Sequence, residues 1–127
     1  MRSGGPEHGS AAAEFVLVSV LVLALLLGVV QVALAVHVRS LATDAAAEGA
    51  RVAARADRGP ADGVARTRAL LTDALTGDYA RDITAGRTTF DGAVVTEVTV
   101  RAPLPVVGLL GPGGMLTVRG HALEEEP

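Results

Sequence analysis

The hydrophobic pattern of this chain begins with an apolar run from Phe15 to Val36, 22 residues without a charged side chain. Ser19, Gly28 and Gln31 are its main interruptions. A helix of this length spans a hydrocarbon core of about 30 Å. The apolar part of a secretory signal is shorter, about 7–15 residues. The run therefore predicts a retained membrane helix, with a cleaved signal as the alternative.

Helical periodicity continues beyond this run. Steps of three and four residues predict one small-residue apolar stripe on a single helix face: Leu34, Val38, Leu41, Ala45, Gly49, Val52 and Ala56. Asp57-Arg58-Gly59-Pro60 predicts the end of the helix. Small residues allow close helix approach. Two interpretations of the stripe stay open, since it could pack between subunits or against its own domain.

The remainder of the chain predicts a second helix followed by strands. Pro60 to Thr76 forms the helix, because proline favours its first position and Gly77 its end. Residues 94–101 and 116–122 then alternate with a period of two, and Ile83 to Phe90 is a weaker strand. Asp91-Gly92 is a hairpin signal. We therefore predict an α+β fold, with a long transmembrane helix that extends out of the membrane, a short helix and a small antiparallel sheet.

The segment from Pro103 to Gly114 is rich in proline and glycine, which predicts a loop. It is nevertheless apolar, because it contains Leu104, Val106, Val107, Leu109 and Leu110. We expect these side chains to cover the core of the small domain, since clustered apolar residues are usually buried. The alternative is a docking patch for a neighbouring subunit or the outer bilayer leaflet.

Composition excludes several classes of protein. The chain has no cysteine, so structural disulfides and cysteine-ligated metals are ruled out. Its formal net charge is -3, and the only aromatic residues are Phe15, Phe90 and Tyr79. A nucleic-acid-binding protein would need a basic patch or a set of stacking aromatic side chains. We therefore expect no nucleic-acid partner.

No constellation of residues suggests catalysis or a cofactor. His8, His37 and His121 are scattered, and His121 alternates outward with Arg119 on its strand. The sequence contains no HExxH motif, nucleophile elbow or P-loop. The acidic end, Glu124-Glu125-Glu126, predicts a solvated tail. We expect a protein that is not an enzyme and that binds neither a cofactor nor a metal.

One acidic residue lies at an unusual position. Glu14 directly precedes the apolar run, where a carboxylate is costly unless it is paired or reaches the interface. In the simplest interpretation, Glu14 is an acidic residue in the first turn of the helix, where the helix dipole favours a negative charge. However, Gly9 lies five positions earlier, followed by four small residues. This arrangement resembles a type IV prepilin processing site, which is cut after the glycine, here between Gly9 and Ser10.

A second motif extends the resemblance. Glu48-Gly49-Ala50-Arg51 follows the apolar run at the spacing of the "EGAR" region of TadE-like proteins. The chain therefore resembles the TadE-like family of Tad (Flp-type IV) pilus systems. The resemblance implies a minor pilin or pseudopilin, with a helix-packing motif at Glu48, Gly49 and Arg51. It also implies that the new amine at Ser10 pairs with Glu14 of a neighbouring subunit during assembly.

The resemblance further implies three regions: a leader at residues 1–9, a transmembrane and extended helix at 10–58, and a small extracytoplasmic α+β domain at 59–127. Its implied partners are the membrane, a prepilin peptidase, other pilin or TadE-like subunits and the Tad assembly platform. An alternative is an unprocessed single-pass scaffold of a secretion or assembly machine. Charges alone favour the reverse orientation, because Arg2 precedes the span whereas Arg39, Arg51 and Arg55 follow it. The resemblance implies a cytoplasmic N-terminus, and we take that orientation. It also implies two locations for the mature chain, the cell membrane and an extracellular pilus.

Overall fold

A computed structural model of the chain describes residues 6–104 and 114–125, with side chains from Gly9 onward. The helices are α1 (Pro6–Ala53) and α2 (Pro60–Ala74), followed by a short 3-10 helix (Gly77–Ala80). The strands are β1 (Asp82–Phe90), β2 (Ala93–Pro103) and β3 (Met115–Leu123). The predicted α+β fold class is confirmed. Most of the predicted apolar loop, residues 105–113, and the first five residues of the predicted leader lie outside the described residues.

The chain divides into two compact units, Met1–Ala33 and Leu34–Pro127. The division falls inside α1. The part of α1 after Leu34 packs into the second unit, where Val38, Ala42, Ala46 and Ala50 are buried. The described residues contain one helix that is long and apolar enough to cross a membrane, Gly9–Ala53. In the first unit, its large apolar side chains from Phe15 onward are exposed.

The start of α2 follows from local sequence. Pro60 occupies the first helical turn, and the backbone N–H of Gly59 donates to the Asp62 carboxylate at 2.9 Å. This contact satisfies a donor that would otherwise lack a partner near the helix end. The helix ends at Ala74, two residues before the predicted Thr76.

The three strands form an antiparallel sheet in the order β1-β2-β3. Asp91 and Gly92 connect β1 to β2 with positive φ angles of 49° and 80°. Two successive positive φ angles are those of a type I′ turn, which suits the twist of a hairpin. The predicted hairpin and first strand are therefore confirmed.

One face of the sheet packs against the second part of α1. Its buried side chains include Val98 and Val100 of β2 and Leu116 and Val118 of β3. Gly120 of β3 lies so close to α1 that a β-carbon there would collide with the backbone at Ala46 and Ala47. The small residues of α1 and Gly120 thus let helix and sheet approach closely.

The predicted stripe on α1 was partly wrong. Val38, Ala45 and Gly49 are buried as expected, but Leu34 and Ala56 are exposed. The buried face instead includes Ala42, Ala46, Ala50 and Ala53, and Ala54, directly after the helix, is also buried. The buried face is therefore rotated by about one residue relative to the predicted stripe.

The acidic tail is not simply solvated, which corrects the sequence prediction. Glu124 is half-buried and accepts hydrogen bonds from the Thr96 hydroxyl and from Arg87 Nε, the latter at 3.0 Å. These hydrogen bonds, from Thr96 first and Arg87 second, hold the pKa of Glu124 below its usual value. The Glu125 N–H donates to the Ala54 carbonyl at 2.8 Å, next to the end of α1. The tail therefore ties the sheet to the end of the long helix. Glu126 lies outside the described residues.

Candidate functional site

Gly9 and Ser10 lie on the first turns of α1 and are exposed. A β-carbon at Gly9 would meet no atom within 4 Å, so packing does not require glycine there. The bond between them has helical backbone. Helix ends fray readily, and this bond lies near the start of α1 at Pro6. Cleavage at this bond would therefore require only the first turn to open.

Glu14 is also exposed, at the edge of the apolar run. Because α1 begins at Pro6, Glu14 is the ninth residue of the helix, counting Pro6 as the first. Interaction with the helix dipole falls off within the first turn. The first-turn interpretation of Glu14 therefore does not fit the unprocessed chain. Removal of residues 1–9 would make Glu14 the fifth residue of the shortened chain.

Gly49 faces Gly63 of α2 in the second unit. A β-carbon at Gly49 would lie 2.7 Å from the Gly63 carbonyl oxygen, and one at Gly63 would lie 2.8 Å from that of Gly49. Real β-carbons do not approach oxygen atoms so closely, so both positions need glycine for this packing. The stripe of α1 thus packs on its own domain, one of the two interpretations that the sequence left open.

Thr67 completes the crossing of the two helices. Its side chain is fully buried, and its hydroxyl lies 2.8 Å from the Gly63 carbonyl oxygen and 3.3 Å from that of Ala45. The sequence-based predictions include neither Gly63 nor Thr67. A signal was present, because glycine inside a helix is unfavourable by about 1 kcal/mol relative to alanine and usually has a packing reason.

The charged residues of the second motif lie on the surface beside this crossing. Arg51 Nη1 is 3.4 Å from Glu48 Oε2, one turn apart on α1. Such an exposed ion pair contributes little to stability. Both side chains line an open groove of about 400 Å³ between α1 and α2, with an apolar floor that includes Leu41 and Leu70.

The outer face of the sheet carries the polar cluster closest to a catalytic arrangement. His121 Nε2 lies 2.7 Å from Glu97 Oε2, and Arg119 Nε lies 3.9 Å from the other oxygen of that carboxylate. These residues are neighbours on paired strands, and His121 and Arg119 are exposed. Within the described residues, no three His, Cys, Asp or Glu side chains are grouped to hold a metal ion. The three side chains are cross-strand neighbours on the sheet surface, a common arrangement in antiparallel sheets.

Comparison with known proteins bears on the helix that contains both motifs. No curated protein and no solved structure gives a significant match to the chain. A family model described as TadE-like protein matches residues 9–51. The match begins at the glycine of the processing motif and ends at Arg51, the last residue of the second motif. The resemblance inferred from the sequence is therefore confirmed for residues 9–51, which are similar to the TadE-like family.

Proposed function

We propose that this chain is a membrane-anchored subunit of a Tad-type pilus system with a structural rather than a catalytic role. The observation that carries the proposal is the match of residues 9–51 to the TadE-like family. Those residues include the exposed apolar part of α1, which needs a non-aqueous environment. The small second unit is then the part of the subunit outside the bilayer.

The finer proposal is a minor pilin or pseudopilin. A prepilin peptidase removes residues 1–9 on the cytoplasmic side, and the second unit lies on the opposite side of the membrane. The spacing from Gly9 to Glu14 supports this assignment. The exposure of Gly9 and Ser10 also supports it, because neither is held by packing in the first unit.

Assembly follows from the chemistry of the new terminus. Cleavage frees an amine at Ser10, and the Glu14 carboxylate of a neighbouring subunit can pair with it. In a low-dielectric environment such a pair interacts more strongly than in water. An unpaired carboxylate at this depth is unfavourable, so pairing also selects the register between adjacent subunits.

A second candidate function is an unprocessed scaffold that stays in the bilayer and organises a secretion or assembly machine. The helical backbone at the bond between Gly9 and Ser10 favours it, since a peptidase must first open that turn. Both candidates share the same anchor and the same soluble unit. They differ in whether residues 1–9 are removed.

Intact-mass spectrometry distinguishes the two candidates. The full chain is coexpressed with its cognate peptidase or with an inactive form of that enzyme, then purified from membranes. We expect a mature chain that begins at Ser10 only with the active peptidase. Gly9→Val should block this conversion, whereas Gly28→Val, at another glycine with nothing within 4 Å of its β-carbon position, should not. Recovery of full-length chain alone with active peptidase would exclude the pilin and leave the scaffold.

A further inference from the structure

One end of the sheet is apolar and exposed. β2 ends at Pro103 and β3 begins at Met115, and these two residues are paired in register. The Leu104 N–H donates to the Gly114 carbonyl at 2.8 Å, which extends the pairing by one step. Pro103 is exposed, and 60% of Met115 is accessible to solvent. Exposed apolar side chains that lie together mark a candidate interaction surface.

The position of this end relative to α1 follows from two contacts within the second unit. Gly120 lies against the backbone at Ala46 and Ala47, and the Glu125 N–H donates to the Ala54 carbonyl. The later residue of one segment contacts the later residue of the other in both cases. β3 and this part of α1 therefore run in the same direction.

The rise per residue of a strand and of a helix gives the level along α1 at which the apolar end lies. From Gly120 back to Met115, five strand residues cover about 17 Å. The same distance along a helix is about 11 residues, which leads from Ala46 to about Ala35. Ala35 is half-buried and Val38 is buried. Residues of the second unit outside α1 therefore extend along the helix as far as about Ala35. The apolar run ends at Val36. Met115 therefore lies near the level at which the chain leaves the hydrocarbon core.

Two exposed arginines lie within a few residues of the apolar end and of Val36. No ionisable residue occurs between Arg101 and Arg119, a stretch that includes the apolar end. Arg101 precedes Pro103 by two strand residues, or about 7 Å. Arg39 follows Val36 by three helical residues, or about 4.5 Å. Both arginines are exposed, and neither forms an ion pair with any residue that the structure describes, including Asp82 opposite Arg101.

We propose that this end of the second unit rests in the surface of the bilayer that α1 crosses. Met115 and Leu104 contact the boundary of the acyl chains, and Arg39 and Arg101 bind lipid phosphates, whose geometry suits a guanidinium group. The anchor keeps this end close to the lipid, so weak contacts suffice to hold it there. The opposite end of the sheet also exposes apolar side chains, Phe90 and Leu123, but lies far from Val36. The proposal depends on the membrane anchor and is independent of processing and pilus assembly.

Site-directed fluorescence tests the proposal on the full chain, which has no natural cysteine. Met115→Cys and Leu123→Cys carry the same environment-sensitive dye, since both positions are similarly exposed, at 60% and 68%. The labelled proteins are reconstituted in phosphatidylcholine–phosphatidylglycerol vesicles, with a nitroxide on a fraction of the lipids at the headgroup boundary. We expect the dye at position 115 to lose fluorescence and the dye at position 123 to keep it. Equal quenching at both positions, or none at 115 with α1 inserted, would overturn the proposal.

Two further measurements separate lipid from a second copy of the chain. Quenching at position 115 should persist at high lipid-to-protein ratios, whereas disappearance on dilution would assign the surface to a neighbouring copy and overturn the proposal. Arg39→Gln combined with Arg101→Gln should reduce quenching in anionic vesicles. Arg66→Gln, at an exposed arginine of α2, should not. An unchanged signal in the double variant would show that these arginines do not bind the phosphates.

Discussion

Gly49 of α1 and Gly63 of α2 face each other across a helix crossing in which each carbonyl oxygen occupies space that a β-carbon on the other residue would need. The glycine of the Glu48-Gly49-Ala50-Arg51 motif is thus needed for the fold of the chain itself. The backbone contact of Gly49 with Gly63 holds α2 against α1. The buried Thr67 packs at the same crossing and donates a hydrogen bond to the Gly63 carbonyl. Any role of this motif between subunits then rests on its exposed charged residues.

The glycine crossing predicts a clear stability effect. Gly63→Ala should lower the free energy of unfolding of the second unit by about 1–3 kcal/mol, the usual cost of overpacking. Denaturation of the full chain in detergent, followed by circular dichroism, measures the change. Gly77→Ala is the matched control, because a β-carbon there meets nothing within 4 Å. If Gly63→Ala unfolds like the unsubstituted chain, the close crossing is wrong.

The hairpin predicts a conformational effect at Asp91. Its φ of 49° is uncommon for a residue with a side chain and especially unfavourable for a β-branched one. Asp91→Val should therefore destabilise the sheet by about 1–2 kcal/mol, the cost of a left-handed conformation. Asp91→Gly, which tolerates positive φ, should be neutral or stabilising. Chemical denaturation compares the two variants, and equal stability would contradict the turn geometry.

Glu124 predicts how stability depends on pH. Its folded-state pKa lies below the ordinary value of 4.5, because Thr96 and Arg87 donate hydrogen bonds to the carboxylate. The stability that it contributes is therefore present above pH 4.5 and is lost as pH falls through the lower folded-state value. Glu124→Gln should be less stable than the unsubstituted chain near neutral pH, and the difference should shrink in acid.

Thr96→Val separates this effect from general acid unfolding. It keeps the shape of the buried side chain but removes the first hydrogen-bond donor to Glu124. Melting temperatures measured from pH 7 down to pH 3 should show a weaker acid dependence in Thr96→Val than in the unsubstituted chain. Identical pH profiles in all three proteins would show that Glu124 is solvated after all.

Glu14 predicts a separation between insertion and assembly. Glu14→Ala should insert into membranes as well as the unsubstituted chain, because it removes a charge beside the apolar run. Incorporation into a pilus or its assembly complex should fall sharply, because the Ser10 amine loses its partner. Asp44→Ala, at an exposed acid of the same helix outside the Glu48–Arg51 motif, should still assemble. Carbonate extraction and pilus shearing measure the two steps, and normal assembly of Glu14→Ala would remove it from the mechanism.

Several elements of this protein are determined by local sequence alone. The apolar run from Phe15 to Val36 specifies a helix that water cannot solvate well. Gly59-Pro60 begins α2, and Asp91-Gly92 forms the hairpin, because each depends on backbone angles that neighbouring residues set. Alternation likewise identified the buried residues of β3, Leu116, Val118 and Gly120.

The buried face of α1 was decided only by tertiary structure. Alanines at 42, 45, 46, 47, 50, 53 and 54 surround this part of the helix, so hydrophobic periodicity does not select one face. Close approach selects it, because Gly63 and Gly120 admit the helix backbone where no side chain fits. The hydrogen bonds of Glu124 have the same origin: its partners, Thr96 and Arg87, lie 28 and 37 residues away along the chain. Only packing of the sheet brings these three side chains together.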